Sequence, residues 1–430
     1  MNTRKYWVIV WALFIGNVLN YVDRVNLSIA GPHIAKEFGF APATMGFIYS
    51  SFFYSYILLI LPLGMLADKY GSRVVSSAGL LIWSAGALAT GAVVGLPSIL
   101  LARLLLGSGE ASTYPTSNRI MREWVPPRTR GLATSLFNIG STAGPALGIA
   151  STSFLIAQTS WRMSFYVLGG FTLIWAILWT VFYRSPESAK WLKDAERKYI
   201  LDAREVAGVK VVKKMSLRTL LEQRSMWGLV ITHGCLTYSI YLFLTWLPSY
   251  LMDVRGLTIM SAGLVGTLPY IISSAGTILI GSLSDRYMSN KDVSRGGRKW
   301  LVILMLALSS CIFFVPVVES TFLLVAIISA SILFATAANT MNLALTGDLI
   351  VDKGSAGAAY GLLILGGNTF GFLAPLITGY VIQVTHSYTW SFIIAGLFMV
   401  AGIISLSLVN RPLQPADAST FSSEKLAGPA

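Results

Sequence analysis

The chain has 430 residues, 54% hydrophobic and only 12% charged, with a mean hydropathy of +0.66. A soluble globular chain carries roughly 25% charged residues, so this composition excludes an ordinary soluble enzyme and predicts an all-α membrane protein. The net charge of +13 is read as basic cytoplasmic loops rather than a nucleic-acid surface. The two cysteines, Cys235 and Cys311, lie far apart in apolar blocks and imply neither a disulfide framework nor a metal site.

The N-terminus carries Arg4 and Lys5 ahead of an apolar run of span length. That run is too long for the core of a cleaved signal peptide and is read as a retained first helix. Blocks of about 20 apolar residues suit a bilayer core of roughly 30 Å. They place spans at Trp7–Ala30, Ala43–Ala67, Val74–Val94, Pro97–Met121, Gly131–Ala157 and Met163–Tyr183. Six more are expected at Met226–Leu251, Ser261–Ser284, Lys299–Val318, Phe322–Leu345, Ser355–Ile382 and Thr389–Val409. The expected organisation is an N-terminal six-helix half over 1–183 and a cytoplasmic linker over 184–225. A C-terminal half over 226–411 and a disordered tail over 412–430 complete it.

Lys69, Arg73, Arg128, Arg130, the Arg184–Arg224 stretch and the segment from Arg286 to Lys299 all fall on one side of these spans. Only Lys36, Arg162 and Arg255 fall on the other. Both termini are therefore expected in the cytoplasm.

The halves echo one another. Gly64-Met65-Leu66-Ala67-Asp68-Lys69-Tyr70-Gly71-Ser72-Arg73 follows the second span, and Gly281-Ser282-Leu283-Ser284-Asp285-Arg286-Tyr287 follows the eighth. Span five carries Gly140, Gly144, Pro145 and Gly148; span eleven carries Gly366, Gly367, Gly371, Pro375 and Gly379. Such internal repeats are the build of many secondary transporters.

The first of these segments resembles the signature loop of the major facilitator superfamily, and the resemblance covers essentially the whole chain. Within that superfamily the chain resembles the anion:cation symporters, which include proton-coupled carriers of galactonate, glucarate and hexuronates. Asn20-Tyr21-Val22-Asp23-Arg24, Arg103 and Glu110, Tyr114 to Arg119, and Leu244 to Tyr250 carry this narrower match. The resemblance implies a twelve-helix major facilitator fold and a transporter; the short cytoplasmic loops and the lack of a sorting signal suggest a bacterial inner membrane.

Ionisable side chains inside lipid are costly and mark function. Asn17, Tyr21 and Arg24 form one stripe of span one, bordered by Asn20; Arg103, Gly107, Glu110 and Tyr114 form another on span four. Arg24 is the candidate for a substrate carboxylate, because a guanidinium binds it through two hydrogen bonds and keeps its charge. Asp23 projects about 100° away from Arg24. Burial favours a neutral carboxyl and a neighbouring Arg a charged one, so Asp23 and Glu110 are candidates for proton coupling. The resemblance assigns the same roles. It also implies substrate contacts for Tyr56 and for Asn368 in the Gly-rich break of span eleven.

Arg103 is expected as a structural or gating partner, and Asp68, Arg73 and Asp285 as charges of a cytoplasmic latch. Three departures from the sugar-acid carriers make the pocket less hydroxyl-specific: Ser141 replaces a Gln, Ile364 replaces an Asn, and span ten lacks a Trp. Gly144-Pro145 also resembles a motif associated with antiporters, although helix packing explains it equally well.

The expected function is import of a small organic anion by proton symport through alternating access, by a monomer that uses a proton gradient and no cofactor. An exchanger or uniporter on the same fold is the alternative. His33, His233 and His386 form no HExxH or Ser-His-Asp pattern, and no phosphate-binding loop appears, so an enzyme is not expected.

Overall fold

The computed structural model describes residues 5–203, 217–287, 297–350, 355–409 and 413. Helices account for nearly all of them: α1 (Tyr6–Phe38), α2 (Pro42–Tyr70), α3 (Ser72–Gly91), α4 (Leu96–Glu110), α5 (Thr113–Trp124), α6 (Pro127–Gln158) and α7 (Trp161–Phe182). After the short α8 (Asp194–Ala203) and α9 (Leu217–Leu221) come α10 (Arg224–Asp253), α11 (Ile259–Tyr287) and α12 (Gly297–Ser309). A 3₁₀ segment (Ser310–Val317) extends α12, followed by α13 (Thr321–Leu349), α14 (Ala356–Thr385) and α15 (Thr389–Ser407). Among the described residues the only β pairing is an isolated bridge from Ile350 to Leu413.

Eleven of the helical segments are long and apolar enough to cross a membrane. The twelfth span, read from sequence as one helix over Pro97–Met121, is two helices joined at Ala111–Ser112. Pro115 explains the joint: it lacks the N–H that would bond the Ala111 carbonyl, and its ring crowds that carbonyl. Hydroxyls gather there, Ser112 Oγ donating to the Gly109 carbonyl at 2.8 Å and Thr116 Oγ1 to the Ser112 carbonyl at 2.7 Å.

The connections are short for local reasons. Gly71, at φ +87°, makes the one-residue turn between α2 and α3 and so explains that glycine of the signature segment. Gly39 (φ +68°) ends α1, and Pro42 opens α2 within its first turn. Leu58, Leu61, Leu101, Phe171 and Phe322 are exposed on the span surfaces, as an apolar solvent requires.

The chain divides into two compact units. The first is Met1–Gly208, Leu242–Ser274 and Pro375–Tyr388; the second is Val209–Tyr241, Ala275–Ala374 and Thr389–Ala430. The first unit therefore holds α1–α8 together with parts of α10, α11 and α14. Within it α1 and α6 pack most intimately. A Cβ on Gly144 would stand 2.6 Å from Tyr21 Cβ and 2.7 Å from the Val18 carbonyl oxygen. Gly140 and Gly148 meet Asn17 and Val22 in the same way. Helix packing thus accounts for the glycines around Pro145.

The start of the predicted linker docks on this unit. Trp191 stacks on Trp124 at 5.3 Å, and Ile200 of α8 is buried in a cluster with Tyr6 and Trp179. The predicted tail lies outside the described residues except for Leu413.

Candidate functional site

Gly107 of α4 lies so close to α2 that a Cβ there would overlap the Phe52 carbonyl. The Phe52 ring is thereby set over two guanidinium groups, 5.0 Å from Arg24 and 5.1 Å from Arg103. Arg24, from the middle of α1, also lies 4.9 Å from the Tyr21 ring and 5.2 Å from the buried Tyr56 ring. Three aromatic faces thus stand around one cation where water would otherwise be.

Arg24 Nε donates to Glu110 Oε2 at 2.7 Å, and the two side chains are 5% and 0% exposed. This pair ties α1 to the last residue of α4. Asn20 is fully buried beside it, and the Tyr21 and Tyr114 hydroxyls are 3.5 Å apart. Arg103, 2% exposed, forms no ion pair among the described residues, and its Nε and Nη1 have no hydrogen-bond partner. Arg24, not Arg103, is the salt-bridge partner of Glu110.

Asp23 points away from this cluster, as one residue of helical rotation requires. Its Oδ2 accepts hydrogen bonds from Trp83 Nε1 of α3 and Thr172 Oγ1 of α7, each at 2.9 Å. Its two bonded partners are neutral. Asn17 turns toward α6, where its Nδ2 donates to the Phe137 carbonyl at 2.8 Å.

Of the latch residues, Asp68 pairs with Arg119 of α5 at 2.6 Å, and Arg119 pairs in turn with Glu123 at 2.7 Å. Arg73 instead donates to the Thr180 carbonyl at 3.3 Å. Asp285 belongs to α11, but its side chain lies outside the described residues. Ser141 bonds its own helix at Asn138. Asn368 lies in the second unit on α14, half-buried, and so belongs to a different compact unit from Arg24.

The span-seven segment Leu244–Tyr250 joins an aromatic cluster of the first unit. Trp246 lies 5.3 Å from Tyr49, edge to face, and its Nε1 donates to the Pro375 carbonyl at 3.3 Å. Tyr388 packs on Tyr250 at 5.4 Å and donates to Asp253 Oδ2 at 2.8 Å. Tyr49, Trp246, Asp253 and Tyr388 border a cavity of about 200 Å³.

Sequence reasoning missed Phe52, Trp83, Thr172 and Arg119. For Arg119 the signal was present, a basic residue closing the quoted Tyr114–Arg119 segment. Phe52 and Trp83 carry no signal that separates them from other aromatic residues in lipid-length runs.

The family profile of the Major Facilitator Superfamily matches residues 13–294 and 261–429. A probable galactarate/D-glucarate transporter of Bacillus subtilis is 29% identical over 427 residues, covering 96% of this chain and 93% of its own. A D-galactonate transporter of Escherichia coli is 30% identical over 389 residues, covering 88% and 90%. Among solved structures, a bacterial homologue of the human lysosomal transporter Spinster in an inward-facing, occupied conformation has a TM-score of 0.76. It is 18% identical and covers 94% of this chain and 97% of its own, a likeness of fold.

Proposed function

Because this chain belongs to the major facilitator superfamily, and is a multi-pass membrane transporter rather than an enzyme, we propose that it imports a small organic anion together with protons. The substrate class is a sugar acid or related carboxylate, in keeping with the substrates named for its relatives. Alternating access carries the solute past a site midway through the bilayer.

The observation that carries this reading is the charge balance of the first unit. Arg24, Arg103, Asp23 and Glu110 are all buried, two cations against two carboxyl groups. A substrate carboxylate added to that set leaves one negative charge uncompensated in a medium that tolerates none cheaply. Proton uptake by one carboxyl restores the balance. Glu110 is the suitable acceptor, because its protonation weakens its hold on Arg24 and releases the guanidinium fork to the incoming carboxylate. Asp23, held by Trp83 and Thr172, is the second candidate. The basic loops favour an orientation with both termini in the cytoplasm, and the short loops between spans favour a bacterial inner membrane.

The test is uptake of D-glucarate into proteoliposomes with and without an imposed proton gradient. Wild type is expected to accumulate the acid only with the gradient. Glu110→Gln is expected to keep exchange of internal for external glucarate and to lose accumulation. Undiminished uphill uptake in Glu110→Gln removes Glu110 from the coupling role. Counterflow indifferent to pH in the wild type favours an exchanger.

A further inference from the structure

The cavity of about 200 Å³ in the first unit takes no part in the Arg24–Glu110 cluster. It lies between the C-terminal end of α1, the start of α2 and the ends of α10 and α14. Asp68 stands at the other end of α2, so roughly 40 Å of helix separates the cavity from the Asp68–Arg119 pair. The walls are close-packed. A Cβ on Gly31 would overlap the Tyr49 hydroxyl, and one on Gly379 would stand 2.5 Å from the Pro42 carbonyl oxygen. Backbone thus presses on backbone where α2 meets α14, and the Tyr49 ring is held against α1.

The lining is aromatic and carries a single charge. Tyr49, Trp246 and Tyr388 are buried, whereas Asp253 is exposed at the edge, its Oδ2 accepting from the Tyr388 hydroxyl at 2.8 Å. Among the described residues no Lys, Arg or His side chain lines the cavity, and Asp253 forms no ion pair. The base nearest to it in sequence, Arg255, turns to Tyr250 instead. Its guanidinium lies 5.8 Å from that ring and donates to the hydroxyl at 3.2 Å.

A carboxylate without a counter-ion, at the edge of an aromatic cavity, selects by charge. Its field draws cations and repels anions. The negative faces of Tyr and Trp rings attract an ammonium group and offer a carboxylate nothing. A divalent metal ion asks for about six oxygen ligands, and the lining supplies only the Asp253 carboxylate and the hydroxyls of Ser249, Tyr49 and Tyr388. Met45 and Ile382 complete the wall with apolar surface, which suits a carbon skeleton.

We infer that this cavity binds a small organic ammonium ion, whose nitrogen pairs with Asp253 and whose carbon skeleton lies among Tyr49, Trp246 and Tyr388. Such a ligand bridges α2 to α10 and α14. It is opposite in charge to the solute proposed for Arg24, so the two sites take different molecules.

Phenethylammonium, phenylacetate and 2-phenylethanol share a ring and a short arm and differ in charge. Their affinities for the full-length protein are measured by thermal-shift titration. Wild type is expected to bind phenethylammonium at least about tenfold more tightly than either of the others. Asp253→Asn keeps the size of the side chain and an oxygen for the Tyr388 hydroxyl, and is expected to remove that preference. Trp246→Leu is expected to weaken phenethylammonium binding by at least about threefold. Ala35→Phe, which fills the cavity from a half-buried position of α1, is expected to abolish it and decides the matter if Trp246→Leu does not fold. If wild type does not distinguish the three compounds, or the preference survives Asp253→Asn, the site is overturned. If Asp253→Asn loses the preference but neither cavity variant weakens binding, Asp253 acts as a solvated surface charge and the cavity assignment is lost. No sugar acid enters the measurement, so its outcome is independent of the organic-anion reading.

Discussion

The first and fourth spans of the N-terminal half are joined by charge, whereas among the described residues the corresponding spans of the C-terminal half are joined without it. Arg24 of α1 pairs with Glu110 of α4 at 2.7 Å. In the other half, Asn342 of α13 donates to the Leu229 carbonyl of α10 at 3.1 Å, and His233 neighbours Asn339. The packing device, by contrast, is shared. Gly140, Gly144 and Gly148 admit α1 against α6, and Gly366 and Gly367 admit Val230 and His233 of α10 against α14. A repeated scaffold has kept its helix contacts in both copies and, among the described residues, placed its fully buried ions in one.

The strongest way to break this contrast is to remove the cation. Arg24→Ala takes away the fixed charge and leaves Glu110 buried without its partner. It is expected to abolish stabilisation by D-glucarate in a thermal-shift assay, a loss of at least about 3 kcal/mol. Arg24→Lys sharpens the point: it keeps the charge and loses the planar fork, so binding is expected to weaken by about tenfold rather than vanish. Full binding by Arg24→Ala would mean that anion recognition does not reside in the charged half.

A smaller effect tests the shared device. Gly144→Ala forces a methyl group into the α1–α6 contact and is expected to cost about 1–3 kcal/mol, read as a lower melting temperature. Gly131→Ala, in the same helix with open space around it, is expected to be neutral or slightly stabilising. Equal melting temperatures for the two variants would show that the contact is looser than described. The smallest expected effect is at the exposed latch. Asp68→Asn is expected to change stability by less than about 1 kcal/mol, because the Asp68 side chain is 75% exposed. Its effect should appear instead as slower exchange in proteoliposomes, and an unchanged exchange rate would reduce Asp68 to a topology-setting charge.

Much of this was legible in the sequence, for physical reasons. Lipid imposes long apolar blocks, so the helices announce themselves, and the rare buried charges stand out against them. Helical rotation separated Asp23 from Arg24 correctly before any partner was known. The partners themselves were not legible. Trp83 and Thr172 hold Asp23 from helices distant in the chain, and nothing local distinguishes them from residues that face lipid. Asp68 was read as one charge of a cytoplasmic latch, yet its ion-pair partner Arg119 was not named, because only the return of α5 past α2 brings it close. Span four was read as unbroken, although its apolar run gives way to polar residues from Ser108 onward and Pro115 carried the information needed to divide it.

That division gives α5 the character of a lever. Its fulcrum at Ala111–Ser112 adjoins Glu110, and Arg119 rides about 10 Å along the arm. A tilt of about 10° at the fulcrum displaces Arg119 by about 2 Å, enough to carry the 2.6 Å contact with Asp68 out of bonding range. On the proton-coupling reading, a change of charge at Glu110 would be geared through this lever to the opening of the Asp68–Arg119 pair, with no intervening chain of side chains required to relay it.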